Sequence, residues 1–387
     1  MAGDHSLSEA ERIDWLQLIR SENVGPITFS HLLTRFGSAR AALEALPDLA
    51  RRGGRAKPIK IAPRATAERE LAALAKLGAR LIARGETGYP LPLAAIPDAP
   101  PLISVRGRAE LLNRPAVAMV GARNASTNGR RFATALARDL AAQGLTVVSG
   151  LARGIDAAAH EGALAAGQSG GGTIAVVAGG VDVVYPRENA GLTERIAAEG
   201  AIVAEQPFGL QPQARHFPHR NRLISGLARA VVVVEAALRS GSLITARLAG
   251  EQGRDVLAVP GSPLDPRAKG SNSLIRDGAG LVEGIEDVLA ALGPLDRAMA
   301  APTGGPTMRP TAPALAAKIA SPDPESAAKD QAKVLELLGY SPITVDELGR
   351  RAHLSSAALA AVLLELELAG RVERSSGGQI SLIISSI

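Results

Sequence analysis

Six short runs of apolar, largely β-branched residues recur between residues 116 and 259, each separated from the next by enough sequence for a helix. They are residues 116–120, 145–149, 173–178, 201–205, 230–235 and 255–259. Most of these runs do not alternate apolar with polar residues, which is typical of strands covered on both faces. Such strands joined by helices form a parallel sheet. The sequence therefore predicts a Rossmann-like α/β domain.

Composition narrows the class of protein. The chain has 387 residues, a formal net charge of +5 and no cysteine. The lack of cysteine excludes disulfides, thiolate chemistry and cysteine-ligated zinc, and it fits a reducing compartment. The first residues carry no apolar signal region, and no apolar run reaches the roughly 20 residues of a membrane span. We expect a soluble cytoplasmic protein whose modest positive charge permits a nucleic-acid partner without requiring one.

Smaller domains flank the α/β domain, for which we predict residues 86–293. Residues 1–85 are predicted to be helical, and their order of helix, Gly25-Pro26 turn and helix resembles a SAM-like or helix-hairpin-helix module. Residues 294–331 are rich in Ala, Pro and Thr and lack periodicity, which predicts a linker.

Residues 332–387 predict three helices followed by a β-hairpin, which is the order of a winged-helix domain. Its third helix, residues 355–368, contains Glu365 and Glu367 and no basic residue. Reading of a DNA duplex through this helix would lack contacts to phosphates. We therefore expect this domain to be a protein-interaction module.

Glycine, serine and arginine recur directly after several of the predicted strands. The carboxyl ends of parallel strands meet at one edge of a sheet, where such sheets bind their ligands. Small residues before a helix give an anion access to unpaired backbone N–H groups, so this edge is predicted to bind phosphate. The candidate residues are Gly121, Arg123, Ser126, Ser149, Gly150, Arg153, Gly154, Arg215, Phe217, Arg220, Asn221, Arg222, Ser240, Gly241, Ser242 and Thr245.

These residue types have distinct roles in such a site. Arginine guanidinium groups match phosphate oxygens in bidentate fashion, and hydroxyl groups can donate to them. Phe217 lies among basic residues in a chain with only 2% aromatics, and its ring could stack on a base. Structural alternatives stay open: Phe217 could belong to the core, the serines could cap helices, and Arg222 could pair with Glu205.

The chain offers no clear catalytic arrangement. Its candidate carboxylates are Asp156, Asp182, Glu205 and Glu235, and its candidate imidazoles are His160, His216 and His219. None of the histidines is spaced with carboxylates as in a metal site, and no Walker A sequence occurs. We therefore expect a binding protein with no catalytic residue, metal or cofactor.

Six sequence blocks carry a resemblance to a known family. They are residues 120–123 (VGAR), 149–156 (SGLARGID), 217–227 (FPHRNRLISGL), 234–236 (VEA), 240–246 (SGSLITA) and 259–261 (VPG). In this order they resemble the DNA-processing protein A (DprA, also called Smf) family. The flanking SAM-like and winged-helix domains are similar to those of its longer members.

The resemblance implies a cytoplasmic protein that binds single-stranded DNA, protects incoming strands during natural transformation and loads the RecA recombinase, without being an enzyme. It places Arg123 and Ser126 in a first phosphate-binding turn. It also implies a homodimer formed by the late part of the α/β domain, for which the apolar candidates are Leu248, Leu274, Ile275 and Leu281.

Two departures from the family pattern affect this expectation. The first turn has Ala122 where the family commonly has serine, which removes one possible hydroxyl contact. Some members carry a lysine just before the 217–222 block, and here the nearest cation is Arg215.

Two rival functions remain open. The Gly-rich edge and Glu235 are also similar to nucleotide-binding, lysine-decarboxylase-like N-glycosidases, in which a glutamate is catalytic. The Pro-Gly-Gly-x-Gly-Thr block of that family is absent here. The winged-helix domain could instead belong to a duplex-binding transcription regulator, against which the acidic third helix argues.

Overall fold

The computed structural model describes residues 6–293, 324–375 and 378–383. Within these residues the chain forms two compact units. One contains residues 6–8 and 68–293, and the other contains residues 9–67, 324–375 and 378–383. No helix in the described ranges is both long and apolar enough to cross a membrane.

The N-terminal region is helical, as predicted. Its helices are α1 (Glu9–Ile19), α2 (Pro26–Phe36), α3 (Ala39–Arg52) and α4 (Arg64–Lys76). Helix α2 starts at a proline, whose missing N–H is not needed in a first turn. It ends at Gly37, which has the left-handed φ of 75° that glycine tolerates. Ser38 then caps α3 by accepting a hydrogen bond from the Ala41 N–H, so local sequence fixes this helical hairpin.

The predicted parallel sheet is confirmed. Its strands are β1 (Ala79–Ala83), β2 (Leu102–Gly107), β3 (Ala116–Val120), β4 (Thr146–Ser149), β5 (Thr173–Val176), β6 (Ala201–Ala204), β7 (Ala230–Val233), β8 (Asp255–Ala258) and β9 (Gly280–Leu281). They lie in the order β1-β2-β6-β5-β4-β3-β7-β8-β9. Strands β3 to β9 run parallel, and β1 and β2 are antiparallel additions at one edge.

The sheet begins before the domain boundary predicted at residue 85. Strand β1 pairs with β2, with Leu81 opposite Ser104. Residues 79–83 therefore belong to the sheet rather than to the helical module. A five-residue edge strand directly after a helix gives little periodicity in the sequence, which explains the different boundary.

Helices cover both faces of the sheet. They are α5 (Leu91–Ala94), α6 (Thr127–Ala142), α7 (Ile155–Ala165), α8 (Ala190–Glu199), α9 (His216–Leu227), α10 (Gly241–Glu251), α11 (Lys269–Arg276) and α12 (Ile285–Leu292). Alternate residues of β3 enter different cores: Ala118 and Val120 pack in one and Val117 and Met119 in the other. Burial on both faces is why these strands lack polar alternation.

The connection order creates a crevice at the sheet edge. From β3 to β6, each new strand is added on the same side of the preceding one, whereas β7 lies on the opposite side of β3. The connections leaving the carboxyl ends of β3 and β7 therefore diverge. Open α/β sheets bind ligands at such switch points.

The C-terminal part has the predicted winged-helix order. It comprises α13 (Pro324–Leu337), β10 (Ile343–Thr344), α14 (Val345–Ala352), α15 (Ser356–Leu368), β11 (Val372–Ser375) and β12 (Gln379–Leu382). Helix α13 starts eight residues before the predicted start at residue 332, because Ala, Lys, Gln and Glu in its first turns favour a helix. The rest of the predicted linker, residues 294–323, lies outside the described residues.

Helix α15 is covered on two sides within its own unit. Leu359, Leu363 and Leu366 pack in the winged-helix core, whereas Leu364 and Leu368 pack with α2 and α3. Polar contacts support the second side, since the Thr28 hydroxyl donates to Glu367 at 2.9 Å and Arg52 pairs with Glu365 at 3.0 Å. The helix that reads DNA in many winged-helix domains is therefore packed against the N-terminal module.

Candidate functional site

The turns after β3 and β4 pack backbone against backbone. The Ile155 N–H donates to the Ala122 carbonyl at 3.2 Å. A Cβ atom on Gly154, whose φ is 76°, would lie 2.2 Å from the same carbonyl oxygen. Only glycine permits this approach and this backbone conformation. The two predicted phosphate-binding turns therefore lie side by side at the crevice.

A buried arginine lies beneath these turns. Arg220 in α9 is only 7% exposed, and its Nη1 atom lies against Gly150. Burial lowers the pKa of Arg220 to about 10, an effect that the nearby Asp156 carboxylate opposes. Burial also raises the pKa of Asp156, and the charge of Arg220 opposes that shift. The Arg220 Nε–H has no hydrogen-bond partner among the described residues, so one donor of this buried guanidinium is left unsatisfied.

Two aromatic rings and two guanidinium groups meet at the mouth of the crevice. The ring of Phe217 lies 5.7 Å from that of Tyr185, and the Arg123 Cζ atom lies 5.1 Å from the Phe217 centroid. The Arg220 Cζ atom lies 6.0 Å from the same centroid. Phe217 is half-buried here and packs in neither core of the sheet. This arrangement offers a stacking face next to positive charge.

Tyr185 is a candidate that the sequence analysis did not assign. Its side chain is 46% exposed beside Phe217. The available signal was its rarity, since the chain contains only three tyrosines, together with its place after the third predicted strand.

Ser126 serves the fold as a helix cap. Its hydroxyl accepts from the Gly129 N–H at 2.8 Å and donates to Glu235 at 2.6 Å, and its backbone N–H donates to Glu235 at 2.9 Å. The Glu235 carboxylate thus occupies the electropositive N-terminus of α6. The first predicted phosphate turn therefore already holds an anion of the protein itself.

The other candidate hydroxyl groups also have partners or are buried. Ser149 is fully buried and donates to the Met119 carbonyl at 2.6 Å. The Ser240 and Ser242 hydroxyl groups lie 2.7 Å apart at the start of α10, and Thr245 is buried in that helix. These contacts match the helix-cap alternative for Ser126 and Ser240, so arginine and aromatic side chains dominate the accessible chemistry.

Arg222 follows the alternative of an internal ion pair. It is buried, and its guanidinium donates to Glu205 at 2.5 Å and to the Asp98 carbonyl at 2.7 Å. Asn221 is buried as well and donates to the Gly241 carbonyl at 3.4 Å, which connects α9 to the start of α10. Both residues hold the region together from inside.

Two more predicted arginines are exposed. Arg153 forms an ion pair with Glu188, and Arg215 lies at the start of α9 with its Nε 3.4 Å from His216. An exposed ion pair contributes little stability, so Arg153 can exchange its partner for a phosphate with little loss.

The four apolar residues proposed for dimerisation differ in exposure. Leu248 is buried, whereas Leu274 and Ile275 are half-buried against the core. Leu281 in β9 is 45% exposed. Burial within one chain therefore accounts for Leu248, and Leu281 is the member most accessible to a second copy.

The described residues contain no group of three or more His, Asp or Glu side chains that could hold a metal. His160 is fully buried, and its Nδ1 atom lies 2.7 Å from the Thr173 hydroxyl. His216 is buried at the start of α9 and accepts from the Gln213 N–H at 3.2 Å. Each of these two histidines thus has a structural partner.

Comparison with known families gives three consecutive matches. Residues 80–293 match the model of DNA recombination-mediator protein A, residues 9–73 that of a DprA-like N-terminal HHH domain and residues 318–378 that of a DprA winged helix domain. The matches follow the domain order that the structure shows.

Individual proteins agree with these matches. The chain is 39% identical to Protein Smf of Escherichia coli over 321 residues, which cover 83% of this chain and 82% of that protein. It is 48% identical over 202 residues to DNA processing protein DprA of Streptococcus pneumoniae, covering 52% and 70%.

Two solved structures share the fold. That of the Streptococcus pneumoniae DprA covers 74% of this chain and 98% of its own, with a TM-score of 0.61 and 38% identity. A structure concerned with the single-stranded DNA binding mode of DNA processing protein A from Helicobacter pylori covers 55% and 95%, with a TM-score of 0.50 and 30% identity.

Proposed function

The chain belongs to the DNA recombination-mediator protein A family, and from this membership we propose that it binds single-stranded DNA at the crevice of its sheet. The family resemblance implies that the bound strand is protected and presented to the RecA recombinase during natural transformation. On the same resemblance we propose that the protein acts in the cytoplasm as a homodimer.

The observation that carries this proposal is the group of side chains around Phe217. Arg123 and Arg220 lie within 5.1 Å and 6.0 Å of its ring centroid, and Tyr185 lies 5.7 Å away. A nucleotide consists of a flat base and an anionic phosphate. The aromatic rings of this cluster can stack on the base, and its guanidinium groups can bind the phosphate. Stacking and phosphate contacts do not depend on base identity, so we expect binding with little sequence preference.

The arginines act at different depths. Arg123 is exposed and can contact a phosphate oxygen directly. Arg220 is buried, so its charge acts mainly through the electrostatic potential beneath the Gly150 turn. We infer that Arg123 supplies the salt-dependent contact, whereas Arg220 maintains the potential and the position of Phe217.

We propose a binding protein rather than an enzyme. In the N-glycosidase alternative Glu235 would be catalytic, but both of its carboxylate oxygens accept hydrogen bonds from Ser126. A carboxylate fixed at a helix N-terminus is occupied with stabilising the fold. We assign no cofactor to the crevice.

We further propose that the winged-helix domain is a protein-interaction module. Its α15 packs against α2 and α3 through Leu364 and Leu368, which leaves that side of the helix inaccessible to a major groove.

The test is salt-dependent binding of a fluorescent oligo-dT by the wild type and by the Arg123→Ala/Phe217→Ala variant, with a duplex of equal length as competitor. We expect the variant to lose most of the affinity, its salt slope to fall by about 0.7 for the missing phosphate contact, and duplex to compete weakly. An Arg195→Ala variant, which removes an exposed arginine of α8, is the matched control. Unchanged binding by the double variant, or equal preference for duplex, would contradict the proposed site.

A further inference from the structure

A groove leads away from the crevice along α6 and α7. It encloses about 670 Å³ and is lined by residues of both helices and of the preceding turns. Arg123 and Arg153, at its start, belong to the candidate site. The groove is therefore continuous with the crevice.

Positive charge predominates along the groove. Its charged lining consists of five arginines and two glutamates: Arg123, Arg130, Arg131, Arg138, Arg153, Glu161 and Glu188. Arg130 and Arg131 are exposed, and neither forms an ion pair with any residue that the structure describes. Arg138 pairs with the adjacent Asp139 at 2.9 Å, and Arg153 pairs with Glu188. The two unpaired guanidinium groups are therefore available to an anion.

The spacing of these arginines suits an extended ligand. Helix α6 has 16 residues, which corresponds to a length of about 24 Å. Arg131 and Arg138 are two helical turns apart, or about 10.5 Å along the axis. A ligand that reached both and also touched Arg123 would need several charges in a row, which the single phosphate of a nucleoside monophosphate does not supply.

The remaining lining is small and lacks stacking surfaces. It consists of Thr127, Thr134, Ala135, Gly154, Ala157, Ala158 and Asn189, with no aromatic side chain. The helices approach closely at Gly162, where a Cβ atom would lie 2.2 Å from the Thr134 carbonyl oxygen. Such a groove can contact a sugar–phosphate backbone but offers no ring on which a base could stack.

We propose that this groove binds the phosphates of the DNA strand where it continues beyond the crevice, leaving the bases of that segment unstacked by the protein. This inference rests on the proposed function and adds a second contact region with its own residues. Short strands fill only the crevice, and longer strands engage Arg130 and Arg131 as well.

The test compares oligo-dT of about 5 nucleotides, near the lower end of usual single-strand site sizes, with oligo-dT of about 20 nucleotides, which exceeds their upper end. The groove variant is Arg130→Ala/Arg131→Ala. The matched control is Arg195→Ala/Arg276→Ala, which removes the same charge from exposed positions outside the groove. We expect the groove variant to bind the long strand roughly tenfold more weakly with a salt slope smaller by about 1.4, and to bind the short strand like the control.

The outcomes separate the two proposals. The wild type could bind the short strand while the groove and control variants bind the long strand with equal affinity. That result would overturn the groove proposal and leave the crevice proposal standing. An equal loss on both strand lengths would also overturn it as a separate region. Failure of the wild type to bind either length would overturn the proposed function and, with it, the groove.

Discussion

The Nη1 atom of Arg220 lies 1.5 Å from the position that a Cβ atom on Gly150 would occupy. The guanidinium thus fills space that only a glycine leaves open. A methyl group in Gly150→Ala would displace the guanidinium from its place beside Phe217 or overpack the turn. We expect single-strand affinity to fall roughly tenfold and the free energy of unfolding to fall by about 1–3 kcal/mol, measured by oligo-dT titration and urea denaturation.

Gly191→Ala in α8 is the matched control for that variant. Apart from the neighbouring residues of its own helix, no atom lies within 4 Å of the added Cβ. Alanine also has a higher helix propensity than glycine. This control should bind DNA like the wild type. If Gly150→Ala also retained full affinity, the position of Arg220 would be irrelevant to binding.

Ser126 and Glu235 provide a test between binding and catalysis. Glu235→Gln removes the charge at the N-terminus of α6 and weakens two hydrogen bonds. We expect the free energy of unfolding to fall by about 1–2 kcal/mol while DNA affinity stays unchanged. A variant of unaltered stability would instead show that the carboxylate is not needed by the fold, which would revive a catalytic role.

Substitution of Arg222 distinguishes a structural role of this arginine from a direct contact with DNA. Arg222→Ala removes the buried guanidinium that pairs with both Glu205 and Asp98, so we expect a loss of about 3 kcal/mol in unfolding free energy. The Arg222→Met/Glu205→Met variant should regain part of that loss, because it also removes the Glu205 charge and leaves only the half-exposed Asp98 carboxylate without the guanidinium. A fully stable Arg222→Ala protein that no longer binds DNA would support the direct contact predicted from sequence.

The parallel sheet was predictable because double-sided burial produces unalternated apolar runs, as in β3 and β7. The edge strands β1 and β9 were not, since β1 follows α4 after only two residues and β9 has only two residues. The ligand edge followed from strand direction, but the contact between Ser126 and Glu235 joins residues 109 positions apart that have no local sequence link. Long-range pairing of this kind decides which candidate donors remain available.

Packing also decided the open alternatives. The sequence allowed Arg222 to face either Glu205 or a ligand, and the structure gives the ion pair. It allowed Phe217 to be core, and the structure places its ring beside Arg123 instead. Arg130 and Arg131 lie within a helix rather than directly after a strand, so the pattern of residues at strand ends does not indicate them.

A substitution of Leu368 tests whether the apolar contact of this side chain holds α15 against the N-terminal module. It packs with α2 and α3 and is not part of the winged-helix core around Leu363. Leu368→Asp should therefore separate the two while the winged-helix domain stays folded. We expect hydrogen exchange to accelerate in α2 and α3, whereas α14 and α15 stay protected. Acceleration throughout α13 to α15 would show instead that the whole domain had unfolded.

His160 makes stability dependent on pH. Its Nδ1–H donates to the Thr173 hydroxyl, whose own proton is used in a bond to the Val147 carbonyl at 2.7 Å. The Nε2 atom is buried without a partner among the described residues, and burial lowers the pKa from 6.5 to about 3, with the charge of Arg220 adding to the effect. Protonation would therefore place a second positive charge in the interior.

The sign of the effect follows from proton binding. Below pH 6.5 the unfolded chain protonates this imidazole, whereas the folded chain stays neutral until about pH 3. The contribution of the neutral imidazole to the free energy of unfolding is complete above the pKa of the unfolded chain. It is lost as the pH falls, by about 2 kcal/mol between pH 6.5 and pH 5. We expect His160→Leu to flatten this part of the curve in urea denaturation, since leucine does not titrate. Identical slopes for wild type and variant over this range would contradict a neutral buried imidazole.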